Sequence, residues 1–292
     1  MRCSMDCFPC LLQQGIRTAL QHLKDEEEQR KMVKRIIAEM AAADDDASAP
    51  FIAHRIQRIL KETLGVADPF AEEKQYYNRE MLKLEDDFVQ MLEAADDPLK
   101  AALKMASAGN VIDFAPGHSL SREHVLSTIR DTMKRELPDD VFNSLKAALE
   151  NARTLLYLGD NAGEIVLDKV FIRTIKQFYP DLQVYYATRG KPIVNDVTEE
   201  DAYAVKMDAY AAVINNGCDI PGTILSLCPD SFVKIFNEAD VIIAKGQGNF
   251  ESLNGTTNHK NLFYLFLCKC SHFMNTFGVA QNEMVLIQNK IP

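Results

Sequence analysis

The feature that most constrains the fold is a change in hydrophobic period near Arg153. Before it, apolar residues recur at spacings of three and four, as in Ile16, Leu20 and Leu23, which is typical of amphipathic helices. After it, short β-rich runs alternate with helical stretches, which implies right-handed βαβ crossovers and a largely parallel sheet. The sequence therefore predicts an α/β protein with a helical domain at residues 1–150 and a doubly wound α/β domain at residues 151–292.

The second half contains six runs that are predicted as strands because they are short, apolar and β-rich. These runs are Thr154–Leu158, Gln183–Ala187, Ala212–Asn215, Val241–Ala244, Phe263–Leu267 and Met284–Ile287. The stretches between them include predicted helices at Glu164–Phe178 and Ser226–Glu238. Strands and helices that alternate in this way place helices on both faces of one sheet.

The amino-acid composition and net charge limit which kinds of binding partner are expected. The 292 residues are 47% hydrophobic and 25% charged, as in an ordinary globular protein, and the formal net charge is −10. A nucleic-acid or anionic membrane surface needs concentrated Lys and Arg, so neither partner is expected. No run of 18 apolar residues occurs, and the amino terminus has no apolar signal-peptide segment. Seven cysteines, an odd number, suit a reducing compartment, so a cytoplasmic location is expected.

Polar segments follow four of the predicted strands. In open α/β sheets, ligands bind beyond the carboxyl ends of the strands, so these segments mark the candidate site. They are Gly159–Glu164, Thr188–Asp196, Asn215–Gly217 and Lys245–Asn249.

Three oxygen-bearing residues in these segments form a candidate metal site. Asp160 and Asn161 follow the first strand, and Asp196 brings a second carboxylate from the segment after the second strand. Two carboxylates and an amide oxygen form a hard ligand set that suits Mg²⁺, Mn²⁺ or related divalent ions. The alternative is that Asp160 and Asn161 are N-cap residues of the next helix, a position that both residue types favour.

The segment after the fourth strand is a candidate phosphate-binding turn. Gly246-Gln247-Gly248 resembles part of a dinucleotide-binding motif, but Glu251 stands where the third glycine would be. A tight turn whose backbone N–H groups approach an anion is therefore favoured over NAD binding. Lys245 is a candidate phosphate partner, with an exposed surface lysine as the alternative.

The amino terminus carries Cys3, Cys7 and Cys10 where the first helix begins. The spacing of Cys7 and Cys10 resembles a redox motif or half of a zinc site. A thioredoxin-type motif follows a strand, however, and a structural zinc site needs four ligands. We therefore interpret these cysteines as structural or mildly redox-active, and not as ligands of the divalent ion.

Several segments taken together resemble the metal-dependent damage-control phosphatases, also known as domain of unknown function 89. The resemblance is to the archaeal and bacterial branch that has cysteines at the amino terminus, and it covers essentially the whole chain in order. The segments that carry it are Cys7–Leu12, Asp68–Phe70 with Asn78, Ala108–Phe114, Leu158–Glu164, Lys191–Val197 and Lys245–Glu251. Among them, the block Gly159-Asp160-Asn161-Ala162-Gly163-Glu164 is the most specific.

The resemblance implies a helical domain packed on a three-layer α/β/α domain. It also implies a divalent ion, namely Mn²⁺, Co²⁺, Ni²⁺ or Mg²⁺, held by Asp160, Asn161 and Asp196. The implied substrates are phosphorylated metabolites such as sugar phosphates and phosphopantetheine-type compounds. One animal branch of the family has been described as a protein carboxyl methyltransferase, so the resemblance specifies the fold more firmly than the activity.

The resemblance further implies roles for individual residues. Asp160, Asp196 and Lys245 are expected to be catalytic, and Asp113 or Glu164 is expected to accept a proton. The residues expected to contact substrate are Asn110, Asn161, Arg189, Lys245, Gly246, Gly248 and Asn249. The alternatives are a Rossmann-like protein that binds a ligand or transfers a methyl group, and a metal-binding protein without catalytic activity.

Overall fold

A computed structural model describes residues 1–109 and 121–289, and every strand among them follows residue 153. The helices that precede the sheet are α1 Cys7–His22, α2 Glu26–Ala41, α3 Ala49–Leu64, α4 Ala71–Leu82, α5 Glu85–Glu93, α6 Pro98–Ala108, α7 Arg122–Lys134 and α8 Asp139–Glu150. Several begin at a side chain that accepts a backbone N–H of the first turn, including Asp25, Ser48 and Ser121. The period change near Arg153 thus coincides with the change from helices to alternating strands and helices.

The later elements form one doubly wound sheet. They are β1 Thr154–Leu158, α9 Glu164–Phe178, β2 Gln183–Thr188, α10 Glu199–Ala204, β3 Ala212–Asn215, α11 Asp230–Glu238, β4 Val241–Lys245, α12 Gly246–Leu253, β5 Leu262–Leu267, α13 Ser271–Phe277 and β6 Met284–Gln288. The strand order is β3-β2-β1-β4-β5-β6, and all neighbours are parallel except β5 and β6. The predicted α/β class and mostly parallel sheet are confirmed.

One predicted helix begins later than expected. The sequence predicted a helix from Ser226, whereas α11 begins at Asp230, after a short 3-10 turn at Leu225–Leu227. The cause is Pro229, which has no N–H and disfavours helical backbone at the residue before it. Cys228 is accordingly extended, with φ −82° and ψ 152°. The predicted start was therefore wrong by one helical turn.

Helices cover both faces of the sheet. On one face, residues of α4 to α9 share a core with Leu155 and Tyr157 of β1. On the other face, α11, α12 and α13 pack against Leu156 and Leu158 of the same strand. Helices α1 to α3 form a separate apolar cluster. Because α4 to α8 share their core with the sheet, the hydrophobic core is continuous across residue 150. The predicted domain boundary at this residue stays a prediction.

A buried polar cluster attaches α4 to the loops that carry the candidate site. The Lys74 ammonium lies 2.8 Å from Asp68 and 3.1 Å from Asp201, and both of its partners are largely buried. Asn78 donates to Asp201 at 3.0 Å and accepts the Gly163 backbone N–H at 2.7 Å. The helical half of the chain therefore fixes the position of the loop after β1.

Candidate active site

The predicted metal ligands lie together in a cleft beyond the carboxyl edge of the sheet. The cavity has a volume of about 390 Å³ and is lined, among others, by Asp160, Asn161 and Asp196. Strand β1 pairs with both β2 and β4, so the cleft opens where the strand order reverses. That is the position at which doubly wound sheets bind their ligands.

Backbone pairing brings the three residues together. Asn161 and Asp196 form an isolated antiparallel bridge. On either side of it, the Val197 N–H donates to the Asp160 carbonyl and the Ala162 N–H donates to the Asn195 carbonyl, both at 2.9 Å. Main-chain hydrogen bonds therefore hold the two loops next to each other.

Arg189 lies behind the two aspartates. Its Nε donates to Asp196 Oδ2 at 2.7 Å, and its Nη2 lies 3.7 Å from Asp160 Oδ1. The side chain is 1% exposed and is not among the residues that line the cleft. Arg189, which was predicted to contact substrate, thus holds the aspartates in position from the protein side.

The two aspartates and Glu164 concentrate negative charge. Burial, followed by the charges of Asp196 and Glu164, raises the pKa of Asp160 to about 8, although Arg189 and Lys269 offset part of the effect. Burial also raises the pKa of Asp196, against the opposing influence of Arg189. A site in which burial and neighbouring charges destabilise the ionised carboxylates attracts a cation.

The donor set fits a hard divalent ion. Asp160 and Asp196 would contribute carboxylate oxygens, and Asn161, whose Nδ2 donates to Asp160 at 2.6 Å, would contribute its amide oxygen. Within residues 1–109 and 121–289, no three His, Cys, Asp or Glu side chains form a metal-binding group. The candidate site therefore depends on an amide as its third ligand, and oxygen-only sets of this kind suit Mg²⁺ or Mn²⁺.

The raised pKa of Asp160 predicts a pH effect on stability without metal. Its pKa of about 8 exceeds the 3.8 of an ordinary aspartate, so the native state binds the proton more tightly than the unfolded state. Its contribution to stability is complete below pH 3.8 and is lost as the pH rises through 8. Asp160→Asn, which mimics the protonated form, should therefore stabilise the metal-free protein more at pH 9 than at pH 5. Thermal unfolding of the wild type and the variant in EDTA across this pH range measures the change in stability. An equal change at both pH values would contradict the prediction.

Gly246 allows the backbone of α12 to approach Asp160. Its φ is +79°, and an added Cβ would lie 2.1 Å from Asp160 Oδ2. We predict that Gly246→Ala lowers the affinity for a divalent ion, because the methyl group displaces the Asp160 carboxylate in addition to straining the backbone. Calorimetric titration with Mn²⁺ measures the effect. Gly255→Ala is the matched control, since Gly255 has a φ of +75° and nothing within 4 Å of an added Cβ.

Lys245 lies beneath the cleft and does not line it. Its ammonium is fully buried and donates to Glu164 at 2.5 Å, to Asp168 at 2.7 Å and to the Ala106 carbonyl at 2.8 Å. Burial lowers its pKa, but the charges of Asp168 and Glu164 more than offset this and hold the pKa above its ordinary value. The surface-lysine alternative is excluded, and direct contact with a phosphoryl group would require these bonds to break.

Asp168 is a buried residue that the sequence analysis missed. Its carboxylate accepts hydrogen bonds from Tyr157 at 2.6 Å and Tyr186 at 3.3 Å, in addition to that from Lys245. Burial raises its pKa to about 6, although Lys245 opposes the shift. Asp168 lies four residues after Glu164 on α9, and that spacing, which places both carboxylates on one helix face, was the available sequence signal.

Glu164 connects this buried network to the cleft. One carboxylate oxygen accepts from Lys245, and the other accepts from Asn161 Nδ2 at 3.3 Å. Its side chain is fully buried. The arrangement therefore makes Glu164 a residue that orients the Asn161 amide.

The start of α12 forms one rim of the cleft. Gln247 and Gly248 line the cavity, whereas Asn249 is fully buried behind it. Asn249 donates to the carbonyls of Lys245 and Gly159 and accepts from Thr223 and Arg189. The predicted phosphate-binding turn therefore presents backbone at the cleft, while Asn249 secures it to β1 and β2.

The rest of the cleft lining comes from segments that the sequence analysis did not place at the site. Helices α1 and α3 contribute Cys7, Cys10, Leu11, Gln14, Ala49, Pro50 and Ala53, and the segment after β5 contributes Lys269, Cys270, Ser271 and His272. The latter segment follows a strand end, so the sheet-edge rule identifies it once β5 is assigned. Asn110 and Asp113, which were predicted to reach the cleft, lie outside the described residues.

The fold and the cleft define a class: doubly wound α/β proteins with paired aspartates at the carboxyl edge of the sheet. The model of the damage-control phosphatase ARMT1-like domain matches residues 3–285, and the chain belongs to this family. The resemblance stated from the sequence is thereby confirmed.

Archaeal relatives match over nearly their whole length. A damage-control phosphatase of Pyrococcus horikoshii is 32% identical over 99% of both chains. A damage-control phosphatase of Archaeoglobus fulgidus is 33% identical over 98% of both chains. The crystal structure of a DUF89 family protein from Pyrococcus horikoshii superposes with a TM-score of 0.89 at 30% identity, covering 99% of this chain and 100% of that one. None of the helices within residues 1–109 and 121–289 has both the length and the apolar character of a membrane span.

Proposed function

We propose that this protein is a metal-dependent phosphomonoesterase that hydrolyses phosphate esters of small metabolites in metabolite damage control. Membership of the phosphatase family and the names of two relatives support the reaction class. The observation that carries the metal dependence is the close pairing of Asp160 and Asp196 in a cleft that raises the pKa of Asp160 to about 8. A carboxylate pair that burial destabilises in this way is suited to binding a divalent cation.

Asp160, Asn161 and Asp196 would hold the ion, with Mn²⁺, Co²⁺, Ni²⁺ and Mg²⁺ as the candidates. When bound, such an ion polarises a phosphoryl oxygen and acidifies a water molecule. The protein's own part is to fix the ligands: Arg189 holds Asp196 at 2.7 Å, and Glu164 orients Asn161. Outer partners of this kind orient the ligands of a metal site.

The rim formed by α12 is the proposed contact for the phosphoryl group. Backbone N–H groups at Gly246, Gln247 and Gly248 have no partner one turn earlier in the helix, and a helix amino terminus favours an anion. Lys269 and His272 line the same cleft and add positive charge or hydrogen-bond donors from another side. The proposed acceptor of the proton remains Asp113 or Glu164, with Glu164 already engaged by Lys245 and Asn161.

The remaining walls suit the organic part of a small ester. Leu11, Ala49, Pro50, Ala53 and Val194 contribute apolar surface to the cleft lining. The volume of about 390 Å³ lies within the roughly 300–1,000 Å³ of typical small-molecule sites. We propose sugar phosphates and phosphopantetheine-like compounds as the substrates to test first.

The test is a phosphatase screen over phosphorylated metabolites with each divalent ion in turn. We expect phosphate release that EDTA abolishes and that one or more of the four ions restores. Release that EDTA leaves unchanged would refute metal dependence. A protein that binds Mn²⁺ but hydrolyses no ester would favour the non-catalytic alternative, and methyl transfer to a carboxyl group without phosphate release would favour the methyltransferase.

The proposed oxygen-only metal site predicts that the amino-terminal thiols are dispensable for chemistry. Cys7 and Cys10 line the cleft, but thiolates are poor ligands for the proposed hard ion. The double variant Cys7→Ser/Cys10→Ser should keep kcat within a few fold for a minimal substrate such as p-nitrophenyl phosphate. Steady-state kinetics and circular dichroism check this. A loss of about 10²-fold in a folded protein, the scale of losing a metal-site partner, would show that the thiols act in the reaction.

A further inference from the structure

A pair of thiols lies outside the cleft, in the segments that follow β3. Cys218 and Cys228 are both free cysteines, and their Sγ atoms are 3.9 Å apart. Cys218 also donates to the Leu227 carbonyl at 3.0 Å, and Cys228 donates to the Ile224 carbonyl at 3.4 Å. A disulfide needs Sγ atoms about 2.05 Å apart, so closing the bond requires an approach of roughly 1.9 Å.

The backbone around the two thiols is tightly packed. A Cβ on Gly217 would lie 2.6 Å from the Pro229 ring, and a Cβ on Gly190 would lie 2.4 Å from the Gly217 backbone. Gly217 precedes Cys218 and Pro229 follows Cys228, so the segments that carry the thiols are in contact. Their proximity is therefore a property of the backbone and is not created by side-chain rotation.

Cys218 is also joined to the segment that carries a proposed metal ligand. Its carbonyl accepts the N–H groups of Gly190 at 2.8 Å and Lys191 at 3.1 Å. Arg189, the residue just before them, holds the Asp196 carboxylate. A displacement of Cys218 would be transmitted through these two main-chain hydrogen bonds to the position of Arg189 and Asp196.

We propose that Cys218 and Cys228 form a reversible intramolecular disulfide under peroxide stress, and that the disulfide slows the enzyme. The Cys218 thiolate attacks one peroxide oxygen and forms a sulfenic acid, releasing the other oxygen as hydroxide or an alkoxide. The Cys228 thiol then attacks the Cys218 sulfur, forming the S–S bond and releasing water. Two thiols are oxidised by two electrons, and one peroxide bond is reduced.

The surroundings shift the pKa values of the two thiols in opposite directions. The hydrogen-bond contact with Cys228 lowers the pKa of the Cys218 thiol, and Arg189 and Lys191 act in the same direction, against the opposing effects of burial and Asp219. The same contact, together with burial, raises the pKa of Cys228. Cys218 is thus the attacking thiolate and Cys228 the resolving thiol. Cys218 is 6% exposed, which favours a small oxidant such as hydrogen peroxide over a bulky disulfide.

The effect on turnover rests on the proposed phosphatase function. A shift of Cys218 changes the hydrogen bonds that locate Gly190 and Lys191, and with them Arg189 and Asp196. A misplacement on the order of 1 Å in a catalytic group costs up to about 10²-fold in rate. We therefore expect turnover of the oxidised enzyme to fall roughly tenfold or more, and a reductant to restore it.

The test treats the metal-free full-length protein with hydrogen peroxide, alkylates the remaining thiols and maps disulfides by non-reducing peptide mass spectrometry. The proposal expects a Cys218–Cys228 crosslinked peptide that lacks two hydrogens and that dithiothreitol cleaves. Cys3 and Cys7, a second neighbouring pair of thiols near the cleft, serve as the internal comparison. Alkylation of both Cys218 and Cys228 after peroxide has oxidised the other thiols would overturn the proposal.

Activity is measured on the same samples after metal is restored. Wild-type turnover should fall on oxidation and recover with dithiothreitol, while Cys228→Ser keeps its basal turnover and does not form the bond. A mapped disulfide with unchanged turnover would refute the coupling to the active site. If the reduced enzyme hydrolyses no ester, the proposed function fails, whereas the peptide map still decides whether the disulfide forms.

Discussion

Asp160→Asn is expected to lower metal affinity and ester hydrolysis together, each by more than about 10²-fold. The substitution keeps the size of the side chain but removes one of the negative charges that are proposed to hold the ion. Removing a residue that hydrogen-bonds a metal ligand already lowers metal affinity or activity roughly 10–100-fold. Removing the charge of a ligand itself is therefore expected to lower them further. Excess Mn²⁺ should recover part of the activity, because the site is weakened and not destroyed. Calorimetry and steady-state kinetics at several Mn²⁺ concentrations measure both effects.

The controls separate a metal ligand from a structural carboxylate. Asp196→Asn should behave like Asp160→Asn, since it removes the second proposed ligand charge. Asp240→Asn is the matched control, because the Asp240 carboxylate accepts hydrogen bonds from Arg153 and Thr154 at the opposite end of β1 from the cleft. It should reduce stability while leaving Mn²⁺ affinity unchanged. If Asp160 merely caps a helix, its loss would cost only about 1 kcal/mol of stability, and undiminished Mn²⁺ binding would contradict the proposed site.

The strands of this fold could be predicted because their sequence pattern is local. Residues 155–158 are continuously apolar, as a strand buried on both faces requires, and the structure places β1 at Thr154–Leu158. Helix α9 likewise has the predicted bounds Glu164–Phe178, because Gly163 with its φ of +77° precedes it and Pro180 disfavours helical backbone at Tyr179. The start of α11 was missed where one residue, Pro229, overrides the apolar period around it.

The proximity of the two aspartates follows from topology. Parallel strands end at the same edge of the sheet, so residues that follow β1 and β2 meet without any knowledge of side-chain packing. No comparable rule predicts which residues form the rest of the cleft lining. Cys7 and Leu11 reach it through the packing of α1 against the rest of the protein, which no spacing in the chain specifies.

The orientation of Lys245 illustrates a signal that was available but unused. Side chains alternate between the faces of a strand, so Lys245 shares a face with Val241 and Ile243. Those two residues belong to the core that α9 covers. The alternation therefore directs the Lys245 ammonium toward α9, where Glu164 and Asp168 receive it. The position of Lys245 at the end of β4 indicated the site. The alternation of side chains along β4, however, determines which residues its ammonium contacts.

Lys245→Met is expected to destabilise the protein by about 3–5 kcal/mol, because it leaves two buried carboxylates without their cation. It should also lower kcat/KM roughly 10²–10³-fold, although the proposed metal ligands are retained. The physical reason is that Glu164, released from Lys245, no longer holds the Asn161 amide in place. Denaturant unfolding and kinetics well below the unfolding midpoint separate the two effects.

The double variant Lys245→Met/Asp168→Asn distinguishes the structural role of Lys245 from its effect on the site. Removing the Asp168 charge should restore part of the stability, but it leaves Glu164 without its partner, so turnover should stay low. Lys169→Met is the matched control, since Lys169 is a buried lysine of α9 that pairs with Glu85 at 2.7 Å. It should reduce stability and leave kcat/KM nearly unchanged. If turnover in the double variant recovers in proportion to stability, Lys245 acts on catalysis through folding alone, and the proposed link through Glu164 to Asn161 is wrong.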